Sequence, residues 1–268
     1  MLTDLILYLL IGSFTGVLAG LFGVGGGTII VPAMILTLTA QGVSAVVLTH
    51  IAIGTSLAAI SVTSISSVHA HHQRQAVLWP TAWQLVPGVC VGVWTGATIA
   101  SHLSGTVLQK SFGVFLVVIA VQMGLNLQPR SHAGESAVMP KRPVLWITGG
   151  IIGLLSAVFG IGGGSLTVPF LSWHGVRMQN AVATAAAVGF PIALVGAAAF
   201  VWHGWGNTLL PAASSGFVYW PAFAGIAVTS IGFAKLGAQM AHMLDAQKLK
   251  RLFALFLFAL GIYFLIRR

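Results

Sequence analysis

The sequence predicts an all-α integral membrane protein of two inverted repeats, each a glycine-tipped re-entrant or broken-helix hairpin plus about three transmembrane helices. Three observations predict it. The 268 residues are 57% hydrophobic and only 6% charged, whereas a soluble domain carries about 25% charged residues. Apolar runs of about 20 residues, long enough for a helix to cross a bilayer, recur along the chain. One glycine-rich stretch occurs twice, Gly23 matching Gly160 at an offset of 137 residues, and each copy interrupts such a run.

The first half offers apolar runs at residues 5–22, 44–69, 77–101 and 107–127. The second offers 144–159, 179–202, 217–242 and 248–266. Residues 128–142, with Pro129, Arg130, Ser131, Glu135, Pro140, Lys141 and Arg142, form the one substantial polar segment. The chain therefore divides into a first transmembrane repeat (1–127), a linker (128–142) and a second transmembrane repeat (143–268). The halves also match at Trp79-Pro80 with Trp220-Pro221, Gly96-Ala97 with Gly237-Ala238, Lys110 with Arg251 and Phe112 with Phe253. These pairs indicate an internal duplication.

The duplicated stretch reads Phe22-Gly23-Val24-Gly25-Gly26-Gly27-Thr28 with Pro32 behind it, and Phe159-Gly160-Ile161-Gly162-Gly163-Gly164-Ser165 with Pro169 behind it. A glycine weakens a helix by roughly 1 kcal/mol against alanine. It also exposes backbone that hydrocarbon cannot hydrogen-bond, so irregular backbone survives at membrane depth only where protein buries it or a water-filled cavity adjoins it. Runs too short to span, 28–38 and 165–173, follow the two copies. Paired breaks at equivalent places in two halves point to a transporter's substrate site. Close packing of small residues is the bland account of such glycines; the duplication, the hydroxyl, the proline and the truncated run weigh against it.

Two layouts are open. If each first span crosses fully, the halves are parallel. Arg74, Arg130, Lys141, Arg142, Arg267 and Arg268 then oppose Lys110, Arg177, Lys248, Lys250 and Arg251, with no orientation signal. If each glycine break turns the chain back, the halves are inverted. Arg74, Arg130, Lys141, Arg142, Arg177, Lys248, Lys250 and Arg251 then share one side against Lys110, Arg267 and Arg268. Basic residues concentrate on the cytoplasmic side of membrane proteins. The second layout is therefore expected, in the cytoplasmic membrane, with the linker cytoplasmic and both termini outside. The chain opens without a basic n-region, so residues 1–22 are expected to remain in the mature protein.

In that layout the tips meet near the midplane. Thr28 and Ser165 are expected as N-caps of the returning half-helices, with Pro32 and Pro169 in the first turn. A helix N-terminus offers free N–H donors and about half a positive charge, and two facing ones make an anion site without a buried cation. Only Asp4, Glu135 and Asp245 are acidic, which removes repulsion. The expected substrate-binding residues are Gly25, Gly26, Gly27 and Thr28 with Gly162, Gly163, Gly164 and Ser165. Thr55 and Ser56 are candidate hydroxyl donors, with interhelical bonding as their alternative role.

Both motif copies, and Gly54-Thr55-Ser56-Leu57 behind the first, resemble the sulfite exporter TauE/SafE family of multi-spanning membrane transporters, over nearly the whole chain. The resemblance implies a small sulfur-containing anion such as sulfite, a sulfonate or sulfoacetate. The second half departs from it at Gly189-Phe190-Pro191, which offers no Thr-Ser.

No catalytic constellation and no metal or cofactor site stands out, so neither an enzyme nor a cofactor is expected. His69, His71 and His72 around Arg74 lack a Cys or carboxylate to complete a ligand set. They read as an interfacial loop. His50 reads as a histidine bonded to backbone, with a pathway role as the alternative. Lys235 reads as a snorkelling cation, Cys90 as a packing residue, and Trp79, Trp83, Trp202, Trp205 and Trp220 as an interfacial belt. The net charge of +9 flanks the apolar runs, so nucleic acid is not an expected partner; the bilayer and a small anion are, and a homodimer is compatible. The rival readings are an anion channel, a membrane-embedded His-ligated metal or haem protein, and an oxidoreductase subunit.

Overall fold

The computed structural model describes residues 2–22, 26–125, 139–240 and 246–266. The first half comprises α1 (Leu2–Phe22), α2 (Gly27–Ala40), α3 (Ala45–Gln73), α4 (Trp79–His102) and α5 (Gly105–Gly124). The second comprises α6 (Arg142–Phe159), α7 (Gly164–Trp173), α8 (Met178–Gly204), α9 (Trp220–Met240) and α10 (Ala246–Ile266). Two short strands, β1 (Ser214–Ser215) and β2 (Val218–Tyr219), pair antiparallel ahead of α9. Among the described residues α3, α4, α5, α6 and α8 are long and apolar enough to cross a membrane. The protein is an all-α integral membrane protein.

The expected runs and the helices agree closely, with two instructive differences. α3 continues past residue 69 to Gln73 and carries His69, His71 and His72 on its last turns. The run expected to begin a helix at 217 instead starts with Phe217 in a turn and Val218 and Tyr219 in strand β2, and α9 begins at Trp220. The reason is local bonding. The Phe217 N–H donates to the Phe200 carbonyl (3.2 Å), and the Tyr219 N–H donates to Thr55 Oγ1 (3.0 Å).

The first two helices form a hairpin. Tyr8 of α1 donates its phenol to Gln41 Oε1 (3.1 Å), and Gln41 Nε2 donates to Asp4 Oδ1 (3.0 Å), so the end of α2 lies beside the start of α1. The second half repeats this. Met139, ahead of α6, packs on a cluster that includes Leu171 near the end of α7 and Val176 just beyond it.

The packing of helices follows a pseudo-two-fold pattern. α1 packs on α9 as α6 packs on α4, and α2 on α3 as α7 on α8. Gly88, Gly92 and Gly96 of α4 face Trp146, Gly150 and Leu154 of α6 in that order, so these two run parallel. Gly12 and Gly16 of α1 meet Ile226 and Ser230 of α9 in the same sense. The equivalent pairs run the other way: Gly54 and Leu57 of α3 meet Phe200 and Gly196 of α8, and Phe112 and Val117 of α5 meet Phe264 and Gly261 of α10. α3 is thus antiparallel to α8, and α5 to α10.

Candidate functional site

The two glycine turns touch. A Cβ on Gly27 would lie 2.5 Å from the Gly160 carbonyl oxygen and 2.8 Å from Ile161 Cα, so only glycine permits this approach. Gly160 caps α6 with φ +64°, the left-handed conformation that glycine adopts without strain. Its carbonyl accepts a hydrogen bond from Ser56 Oγ of α3 at 2.8 Å, tying α3 to the turn between α6 and α7.

Several expected site residues gather here. Gly26, Gly27, Thr28, Gly162, Gly163, Gly164 and Ser165 are all buried. Gly25 lies outside the described residues. Thr55 and Ser56 are fully buried one helical turn from the contact, but both hydroxyl oxygens have backbone partners. Ser56 donates to Gly160, and Thr55 accepts the Tyr219 N–H. Their observed role is interhelical bonding.

The capping expectation needs correction. Gly26 and Gly163 are the N-caps, and neither helix has a side-chain cap. The Gly26 carbonyl accepts the N–H groups of Ile29 (3.0 Å) and Ile30 (2.9 Å); the Gly163 carbonyl accepts those of Leu166 (3.3 Å) and Thr167 (2.8 Å). An N-cap side chain reaches forward from outside the helix, whereas Thr28 and Ser165 already lie one residue past the first helical position. Their hydroxyls consequently do not cap the helices. Thr28 Oγ1 and Ser165 Oγ are buried without a hydrogen-bond partner among the described residues. Pro32 and Pro169 likewise fall in the second turn, not the first. Each lacks the N–H that the carbonyl four residues earlier, on Thr28 or Ser165, would accept in a regular helix.

Sequence reasoning missed two further hydroxyls. Ser156 Oγ, in the last turn of α6, and Thr167 Oγ1, in the first turn of α7, are fully buried and unpartnered among the described residues. Thr167 Oγ1 lies 3.2 Å from where a Cβ on Gly163 would stand. Buried hydroxyls without partners are rare and costly, and these four lie on α2, α6 and α7 close in sequence to the contact between Gly27 and the Gly160–Ile161 turn.

Other candidates fall elsewhere. His50 Nε2 lies 3.0 Å and 3.1 Å from the carbonyl oxygens of Ala100 and Leu103, and its ring stacks on Phe217 at 5.0 Å. The loop between α8 and α9 therefore packs over this end of α3. His72 Nδ1 accepts from Trp79 Nε1 (3.1 Å), and His69 Nε2 pairs with Gln73 Nε2 (3.0 Å). Among the described residues no three His, Cys, Asp or Glu side chains are grouped to hold a metal. Trp83, Trp202, Trp205 and Trp220 are exposed and Trp79 is partly buried. Cys90 is half-buried. The Lys235 side chain lies outside the described residues.

A bundle of apolar helices with two broken hairpins meeting inside it defines a polytopic membrane transporter. The comparisons agree. The model of the sulfite exporter TauE/SafE family matches residues 8–264, and the chain belongs to that family. A "probable membrane transporter protein" of Haemophilus influenzae is 36% identical over 263 residues, covering 98% of each chain. Proteins of the same description from Xylella fastidiosa (31% identical; 94% of this chain, 91% of the relative) and Methanocaldococcus jannaschii (26%; 97% and 95%) are also similar. No solved structure matches.

Proposed function

We propose that this protein carries a small sulfite- or sulfonate-like anion across the cytoplasmic membrane, held between the two glycine tips. The hairpins enter from opposite faces in inverted repeats, with the linker cytoplasmic and both termini outside. The antiparallel placement of α3 against α8 and of α5 against α10 supports the inversion, as does the clustering of basic residues on one side. The single observation that carries the site is the pair of hydroxyls, Thr28 and Ser165, unpartnered among the described residues and at equivalent positions of α2 and α7, with the α2 start packed on the Gly160–Ile161 turn that leads into α7. Free N–H groups and the helix dipoles supply positive potential there, and the hydroxyls add directed donors. Burial of these donors supports a carrier that occludes its substrate, with one repeat moving against the other. The family name is what suggests sulfur chemistry.

The test is uptake by purified protein in proteoliposomes. A hydrogen bond to a charged group contributes about 1.5–3 kcal/mol. Thr28→Val and Ser165→Ala should therefore each raise the half-saturating sulfite or sulfonate concentration roughly 10- to 100-fold. Unchanged saturation in both variants would remove the hydroxyls from the site.

A further inference from the structure

Each half sends one connection across to the other, and the same kind of bond fastens both. Residues 74–78 link α3 to α4, and the Leu78 N–H, directly ahead of Trp79-Pro80, donates to Thr184 Oγ1 of α8 at 3.0 Å. Residues 205–219 link α8 to α9, and the Tyr219 N–H, directly ahead of Trp220-Pro221, donates to Thr55 Oγ1 of α3 at 3.0 Å. The two Trp-Pro pairs match across the duplication, so the donors are equivalent residues. Each acceptor is a fully buried threonine on the third helix of the opposite half.

Each connection also lies against the open end of the opposite hairpin. The Tyr219 ring meets the Tyr8 ring at 6.1 Å, and Tyr8 is bonded to Gln41 at the end of α2. Leu78 packs on the cluster that holds Leu171 and Val176 at the end of α7. A second contact backs each bond. Phe217 stacks on His50 at 5.0 Å, and Asn180 Nδ2 donates to the Ala76 carbonyl at 2.9 Å.

We propose, resting on the inverted carrier described above, that these two bonds latch two gates that open one at a time. Tyr219–Thr55 closes the outer face and Leu78–Thr184 the cytoplasmic face. A bond to a neutral hydroxyl is weak enough to break in each cycle, since water replaces it at little net cost. Removing the hydroxyl while the connection stays shut would leave a buried N–H unpaired, which favours the open state. Thr55 and Thr184 are therefore positioning residues, holding their gates shut without touching the substrate. Both latches are made here, so the structure is closed at both ends.

The test uses reporter cysteines one turn deeper than each threonine, Ala58→Cys and Ala187→Cys, in the full-length Cys90→Ala protein in vesicles. Both positions are buried and sit at the i+3 place on the threonine's side of the helix. Thr55→Val should speed labelling of Ala58→Cys by an impermeant maleimide from outside about tenfold. It should not speed labelling of Ala187→Cys from the cytoplasmic face. Thr184→Val should give the reverse pattern, and Thr55→Ser and Thr184→Ser, which keep the hydroxyl, should label like the parent. Asn180→Ala removes a partly exposed bond and should speed Ala187→Cys by a smaller factor, which keeps the test open if Thr184→Val fails to fold. A purely structural role would speed both reporters together in each variant; that result, or no change at either reporter, would overturn the latches. Reporters reached from the same face would sink the inverted layout itself, whereas opposite faces with unresponsive variants would sink the latches alone.

Discussion

Gly163→Leu and Gly26→Leu each abolish counterflow in proteoliposomes, with flux falling at least about 100-fold, while the protein still inserts and purifies as a helical membrane protein. The loss follows from where the side chains would stand. At Gly163 even the Cβ lies 2.5 Å from Ile192 Cδ1 and 3.2 Å from Thr167 Oγ1, so a leucine must push into the niche these atoms border. At Gly26 the backbone has φ +51°, a conformation that costs a non-glycine residue roughly 1–2 kcal/mol. A leucine there would relax the turn and re-aim the first N–H groups of α2. Each variant removes several donor contacts at once, and about 3 kcal/mol of lost binding already corresponds to a hundredfold. The bundle's remaining contacts lie in α3, α4, α5, α8 and their partners, so insertion survives. Wild-type counterflow in both variants would show that the tips are not the site.

Gly160→Val lowers the melting temperature by roughly 5–15 °C in detergent. Gly160 has φ +64°, and a Cβ there would sit 2.9 Å from Val31 Cγ2 and 3.0 Å from Ile53 Cα. The left-handed backbone and overpacking each cost about 1–3 kcal/mol, and Ile53 Cα cannot step aside without moving α3. The same shift would break the bond from Ser56 Oγ to the Gly160 carbonyl. An unchanged melting temperature would mean that the tips do not touch.

Much of this arrangement was legible from residues alone, for identifiable reasons. Glycine runs inside apolar segments have no helical rationale, so their duplication located both tips. The shortness of the runs after Thr28 and Ser165 indicated returning half-helices, which the Gln41 bonds to Tyr8 and Asp4 bear out for the first hairpin. Three features were not legible. Which residue caps a helix depends on where the backbone leaves the helical region, and Gly26 does so ahead of Thr28. Phe217 to Tyr219 are as apolar as a helix, and only their bonds to Phe200 and Thr55 reveal a turn and short strand there. Ser156 and Thr167 are single hydroxyls in apolar helices; their one signal was the mismatch with Ala19 and Ile30 across the duplication.

The central claim is that the two hairpins open to opposite faces and meet at their tips. The most direct measurement uses single cysteines in a Cys90→Ala background, at Ala40 near the mouth of the first hairpin and at Gln179 just past the mouth of the second, both exposed. A membrane-impermeant maleimide should label Ala40→Cys only from outside and Gln179→Cys only from the cytoplasmic face. Labelling of both from the same face would contradict the account.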